Sequence, residues 1–152
     1  MNEKNYISFL DDYSNKIDET IGLEINEINQ LEQDFNVKFP TVYVDFLSKY
    51  GKRSGYFLSS YLVTIDKLGN NRESALDASY DEIDNIKVEV KNSYFFFAQW
   101  QGYNFFFFDC STKEDDPPIY ILTDTPEITK YKDSFTEFLR DEGLKPLLEN
   151  LS

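Results

Sequence analysis

The sequence predicts an α+β fold, with N-terminal helices and a C-terminal helix packed on a central, mainly antiparallel β-sheet. Three observations predict it. Apolar residues recur at helical spacing through the first third of the chain. Residues 94–109, YFFFAQWQGYNFFFFD, then read as two aromatic strands folding back on a tight turn. A serine-initiated helical pattern follows the strands near the C-terminus. Helices, then strands, then a helix is the segregated order of α+β domains, not the alternation of a doubly wound parallel sheet.

Gln101-Gly102 joins the two aromatic runs, and Gly102 supplies the positive φ that such turns need. The runs are apolar almost without interruption. A half-solvated sheet alternates apolar with polar residues, so this hairpin is expected to be covered on both faces. The rest of the chain has to supply the covers.

In order along the chain, Tyr6, Phe9, Leu10, Tyr13 and Ile17 predict an amphipathic first helix that Gly22 interrupts. A second helix is expected from Asn26, its N-cap, with Ile28, Leu31 and Phe35 on one face. Asn36 ends it in a left-handed conformation. Pro40 suits the first turn of a third helix, where a missing N–H costs nothing. That helix turns Tyr43, Phe46, Leu47 and Tyr50 inward and ends at Gly51.

Residues 52–55 read as a turn, and residues 56–65 as one strand or two short ones carrying Leu58, Tyr61, Val63 and Ile65. Residues 66–92 are the least legible: an insertion, an acidic helix or a loop. There Gly69-Asn70-Asn71 is loop-like, and Tyr80, Ile83 and Val90 suit an irregular helix. After the hairpin, residues 111–118 form a polar turn, residues 119–123 a third sheet strand and residues 128–131 a short edge strand. Ser134 and Glu137 frame a capping box for a helix that buries Phe135, Phe138 and Leu139. Gly143 interrupts it, and Leu144, Leu147, Leu148 and Leu151 form a last apolar turn or two.

The 152 residues suffice for one domain with a core that needs no staples, and 14 of them are Phe. A lone cysteine, Cys110, excludes an intrachain disulfide and fits a reducing compartment. The N-terminus lacks the apolar run of a signal peptide, and no stretch approaches a membrane span. A cytoplasmic location is therefore expected. With 28 acidic against 15 basic residues, the net charge of −13 opposes phosphate backbones and anionic membranes and favours basic partners. The bland reading of that charge is solubility. The absence of histidine removes His-based triads, His metal ligands and imidazole bases.

Two stretches together resemble the SMI1/KNR4 (SUKH) superfamily. In INEINQLEQDFNVKFPTVYVDFLSKYGK, Ile28, Leu31 and Glu32 match its first helix, Pro40 its elbow, and Tyr43, Phe46 and Leu47 its second helix, before a turn at Gly51. Phe96-Phe97-Ala98, Gly102, Asp109, the Pro118–Tyr120 strand and Ser134-Phe135-x-x-Phe138-Leu139 then follow in the family's order. Phe39 stands where Leu is usual, Asn36 where Gly is usual, and Gly51-Lys52-Arg53-Ser54-Gly55 lacks the Asn-Gly-Gly turn. The resemblance implies helices packed on an antiparallel-type sheet, with no accepted catalytic centre. It also implies a role: bacterial members are mostly immunity proteins that neutralise a polymorphic or contact-dependent toxin, often a nuclease or deaminase. Fungal members act as interaction scaffolds in cell-wall signalling.

Asp109-Cys110-Ser111 and Glu114-Asp115-Asp116 do not have the spacing of an EF-hand, so no metal or cofactor is expected. Cys110 lacks a histidine to activate it, and enzyme activity is not expected. On the resemblance, residues 77–89 with Asp77, Asp81, Glu82 and Asp84, the loop Glu114, Asp115 and Asp116, and nearby exposed tyrosines are the expected toxin-facing surface. The partner is then a basic, nuclease-like C-terminal toxin domain, with no direct nucleic acid and no membrane. Solvated loops are the competing reading, and an interaction scaffold is the alternative function. Monomer and homodimer both stay open.

Overall fold

The structure, a computed structural model, describes residues 6–149. A 3₁₀ segment, Ser8–Tyr13, runs into α1 (Ser14–Ile17), followed by α2 (Ile25–Phe35), α3 (Thr41–Tyr50) and α4 (Ile65–Ala78). Strands β1 (Tyr80–Asp81) and β2 (Ile86–Lys87) form a small hairpin. Strands β3 (Tyr94–Trp100), β4 (Asn104–Asp109), β5 (Ile119–Thr123) and β6 (Glu127–Lys132) pair antiparallel in that order as a meander. The chain ends in α5 (Phe135–Phe138), a π-helical segment (Leu139–Leu144) and α6 (Lys145–Glu149). The α+β class and the antiparallel sheet are as the sequence predicts.

The aromatic hairpin is the middle of the molecule, and both its faces are covered. Phe95, Phe97, Ala98, Phe106 and Phe108 pack into the helical cluster with Leu31, Tyr43, Phe46, Phe135 and Phe138. Phe96, Phe105, Phe107 and Leu122 face the other way, beneath Ala75 of α4, with Val88 and Val90 alongside. The register slips between Phe96 and Ala98, so Phe97 is an extra residue in β3. Such a bulge turns two consecutive side chains to one face, and here both Phe97 and Ala98 join the helical layer. The turn uses left-handed backbone at both Gln101 (φ 55) and Gly102 (φ 80).

Tyr43 sits at the centre of the helical layer, with ring centroids 5.1 Å from Phe108, 5.4 Å from Phe95 and 5.7 Å from Phe135. The elbow before it is clipped: the Glu32 carboxylate accepts from the Phe39 backbone N–H at 2.7 Å. Asn36 is left-handed (φ 53), as expected. At the far end, Ser134 caps α5 by accepting from the Glu137 N–H at 3.1 Å.

Five local expectations need correction. The N-terminal helix is mostly 3₁₀, because Ile7, Leu10 and Tyr13 recur at spacing three, the period of that tighter helix. Asn26 lies inside α2; Glu24 precedes the helix, and Glu27 reaches back to the Glu24 N–H at 3.0 Å. Pro40 is the N-cap of α3 and not part of its first turn. Residues 56–65 form turns, with Leu58 left-handed at φ 56, and the alternation there only dips Phe57, Leu58 and Val63 into the core. Gly69-Asn70-Asn71 is helical, within α4, and Tyr80 and Ile83 belong to the small hairpin and not to a helix.

Gly143 interrupts the α-helical geometry without breaking the chain's helical path from α5 to α6. It lies in the π-helical segment, where an added Cβ would meet the Phe57 ring at 2.5 Å, so glycine is the residue that admits this contact. Leu144 is buried and Leu147 packs against the core, whereas Leu151 lies outside the described residues.

Candidate functional site

The acidic residues that the sequence singles out fall into two groups with different surroundings. The first is the arm formed by the end of α4 and the β1–β2 hairpin. Asp77, Glu82, Asp84 and Glu89 are exposed there, and Asp81 is half-buried. Five carboxylates in residues 77–89 face one cation of the same stretch, Lys87. The Asp81 side chain accepts from the Ile83 N–H at 3.0 Å and the Asp84 N–H at 3.4 Å, pinning the turn. Asn85 is left-handed (φ 54), and its side chain accepts from the Tyr80 hydroxyl at 3.4 Å.

At the tip of this pinned turn Ile83 is 94% exposed, flanked by Glu82 and Asp84. Leu76, Tyr80 and Ile86 add exposed apolar surface along the same arm. Sequence reasoning caught the carboxylates here and missed the apolar residues. The available signal was Asp81-Glu82-Ile83-Asp84-Asn85, a turn-forming polar run with one isoleucine that no core needs.

The second group is the loop of residues 114–116. Glu114 and Asp115 are exposed and Asp116 is half-buried, but both aspartates are tied to neighbouring elements. Asp115 accepts from the Thr41 hydroxyl at 3.0 Å, and its carbonyl accepts from the Val42 N–H at 3.0 Å, tying the loop to the start of α3. Asp116 accepts from the Thr136 N–H at 3.0 Å and its hydroxyl at 2.6 Å, satisfying a donor in the first turn of α5. The two groups therefore anchor to opposite layers: the loop to the helices of the Tyr43 cluster, the arm to α4 and the Phe96–Phe107 face.

The family-type residues all do structural work. Glu32 clips the elbow at Pro40; Tyr43, Phe46, Leu47, Phe135 and Phe138 are buried; Gly51 caps α3; Gly102 makes the turn; and Ser134 caps α5. Asp109 ends β4 by accepting from the Ser111 N–H at 2.9 Å and its hydroxyl at 2.7 Å. Burial works against the charged Asp109 carboxylate, but hydrogen bonds from Ser111 and Ser93 outweigh it and hold the pKa below the ordinary value. Burial, with the Asp109 and Glu32 carboxylates adding to it, pushes the Cys110 thiol up to about 12. A thiol so protonated is a poor nucleophile.

Among the described residues no group of three or more His, Cys, Asp and Glu is placed to hold a metal ion, and no helix is long and apolar enough to cross a membrane. The class these elements define is an α+β domain, an antiparallel meander held between a helical layer and one long helix.

The chain belongs to the SMI1-KNR4 cell-wall family (SUKH_6), whose model matches residues 25–139. The match covers the elbow, the meander and the start of α5, the parts that carry the family-type residues. SUKH proteins are generally non-catalytic immunity or interaction proteins. Comparison with curated proteins finds no match.

Proposed function

We propose that this chain is a cytoplasmic, single-domain immunity protein, an antitoxin. In this reading it binds and neutralises a cognate polymorphic or contact-dependent bacterial toxin through an acidic surface, and the toxin domain is basic and of nuclease type. The observation that supports it best is the β1–β2 arm, a pinned turn that combines outward carboxylates with an isoleucine 94% exposed at its tip.

The physics suits a basic partner. Carboxylates on a protruding arm accelerate encounter with a positive groove and select against acidic surfaces. They add little affinity once solvated. The central energy then comes from a desolvated apolar anchor, the part Ile83 plays with Tyr80 and Ile86 beside it. Because Asp81 and Asn85 already fix the turn, little ordering is left to oppose binding. Glu114 adds an outward charge on the opposite layer, where Asp115 and Asp116 hold its loop down.

The test is a pull-down from the source cells with tagged protein, washed at low and high salt, with bound proteins identified by mass. Capture of a toxin C-terminal domain that the Ile83→Ser variant loses supports both the function and the arm. Toxin capture unaffected by Ile83→Ser and by salt keeps the function and removes the arm. Recovery of cell-wall or signalling proteins in place of a toxin moves the chain to the scaffold reading.

A further inference from the structure

A cleft of about 600 Å³ opens between the turns of residues 56–61, the end of β3 and the C-terminal helices. Lys16, Tyr56, Tyr61, Trp100, Glu142 and Leu147 are among its lining residues. The carboxylate of Glu142 is its acidic group; it accepts from the Tyr131 hydroxyl, and the Tyr61 hydroxyl lies near enough to feel its charge. Both rings are fixed from behind. Tyr61 stands edge-on to Phe106 at 5.7 Å and Phe138 at 5.8 Å, and Tyr131 lies 5.2 Å from Phe106. Trp100 is braced edge-on by Tyr103 at 5.9 Å.

Glu142 reaches this position because it stands on the π-helical segment, and such turns recur at functional sites. The next residue, Gly143, lets the Phe57 ring pass beneath the segment. Among the described residues no cation pairs with Glu142. Its neighbour Asp141 takes Lys132 at 2.9 Å, and Lys16, exposed on the rim, forms no ion pair with Glu142. A carboxylate offers about four lone-pair positions, so the bond from Tyr131 leaves room for a forked partner.

From this arrangement we infer that the cleft receives an arginine side chain carried on an extended segment of a partner protein. A planar guanidinium forks onto a carboxylate and stacks on aromatic faces, and both surfaces are present here in one cavity. An ammonium is a compact, strongly hydrated charge that cannot fork onto the carboxylate and lacks a plane to stack on the ring, so it gains less from the pair. The volume exceeds one side chain and admits the flanking backbone as well. The net charge of −13 draws cationic segments in general; Glu142 and Trp100 select among them. Burial, reinforced by the nearby Glu142 carboxylate, pushes the Tyr61 hydroxyl up to about 12, so it remains a donor at neutral pH. The inference rests on the cleft alone and not on the acidic arm or the identity of a toxin.

Trp100 is the single tryptophan, so its fluorescence reports directly on the cleft. The probe is the capped tripeptide acetyl-Gly-Arg-Gly-amide, with citrulline as the uncharged isostere and lysine as the compact cation. A saturable signal is expected for the arginine peptide, weaker for lysine, and about tenfold weaker or more for citrulline. Glu142→Gln keeps an oxygen for Tyr131 while removing the charge, and is expected to weaken the arginine peptide about tenfold. Ser59→Phe, on the exposed rim, fills the cleft and is expected to abolish the signal, with near-UV circular dichroism confirming a native core in both variants. The proposal is overturned by any of three results: no saturable response in the wild type, equal response to citrulline, or unchanged affinity in a natively folded Glu142→Gln.

Discussion

Tyr43 is wholly buried, and its hydroxyl has no hydrogen-bond partner. The ring explains the residue, since six aromatic neighbours stand around it. The hydroxyl costs stability, because its bonds to water are lost and not replaced. Tyr43→Phe keeps every ring contact and is expected to raise stability by about 1 kcal/mol, read as a higher urea midpoint with unchanged slope. A lower midpoint would mean that the hydroxyl is bonded in solution. Asp109 carries the opposite kind of prediction. Its carboxyl is held below its ordinary value by Ser111 and Ser93, so its contribution is fully present above the ordinary carboxylate range. That contribution is lost as pH falls through the lowered value. Asp109→Asn is expected to flatten the acid limb of stability against pH, measured by urea midpoints between neutrality and about pH 3. Glu32 shows the limit of legibility at this scale. Its place in an I-x-x-L-E helix is plain in the sequence, but its partner, the Phe39 N–H, lies beyond a left-handed turn that only the fold brings back.

The element that sequence reasoning misjudged most is α4. Gly69-Asn70-Asn71 has the local preference of a loop, and in isolation that preference is sound. Tertiary packing overrides it. Asn71 is fully buried and donates to the Leu62 carbonyl at 2.8 Å, while Gln99 donates to Asn71 at 3.3 Å across to the bulged strand β3. The asparagine is a bracket between a helix, a turn and the sheet, and nothing local in the sequence announces that. The legible signal was Thr64 before Ile65, with Asp66 accepting the Thr64 hydroxyl at 2.6 Å in the first turn. Two glycines separate propensity from packing. Gly69 is exposed in α4 with open space where a Cβ would stand, so Gly69→Ala is expected to stabilise by about 0.5–1 kcal/mol. Gly143→Ala, driven against the Phe57 ring, is expected to destabilise by about 1–3 kcal/mol. Thermal melts of the pair give opposite signs if α4 is a helix and the Phe57 contact is real; equal signs would contradict one of them. By contrast the hairpin of β3 and β4 and its two covers were legible, though not the bulge at Phe97, because a nearly unbroken aromatic run has only one comfortable place, between two layers.

Across the whole molecule the net charge of −13 works against the fold and, on the proposed function, for a basic partner, and the two effects are separable. Crowded like charges repel in the compact state, so screening them stabilises it. Raising salt from about 0.1 M to about 1 M shrinks the Debye length from about 10 Å to about 3 Å and is expected to raise the melting temperature. The same salt weakens any complex formed through the arm. Charge count alone made this half legible, but not where on the surface the charge matters, since Asp115 and Asp116 read like Glu82 and Asp84 in sequence and prove to be brackets. Neutralising the arm isolates its role. Asp77→Asn, Glu82→Gln and Asp84→Asn together leave Asp81 to pin the turn and remove three exposed charges. If the arm exists for a partner, the triple variant melts at the same temperature or higher, while its association rate with a basic partner falls and loses salt dependence. If those carboxylates serve the fold, the variant melts lower and association is unchanged. Asp115→Asn with Asp116→Asn is the counterpart. It removes two charges from the opposite layer, and the loss of charge-assisted bonds to Thr41 and Thr136 is expected to lower the melting temperature whatever the partner. Opposite shifts from two neutralisations of similar size would separate charge spent on folding from charge kept for recognition.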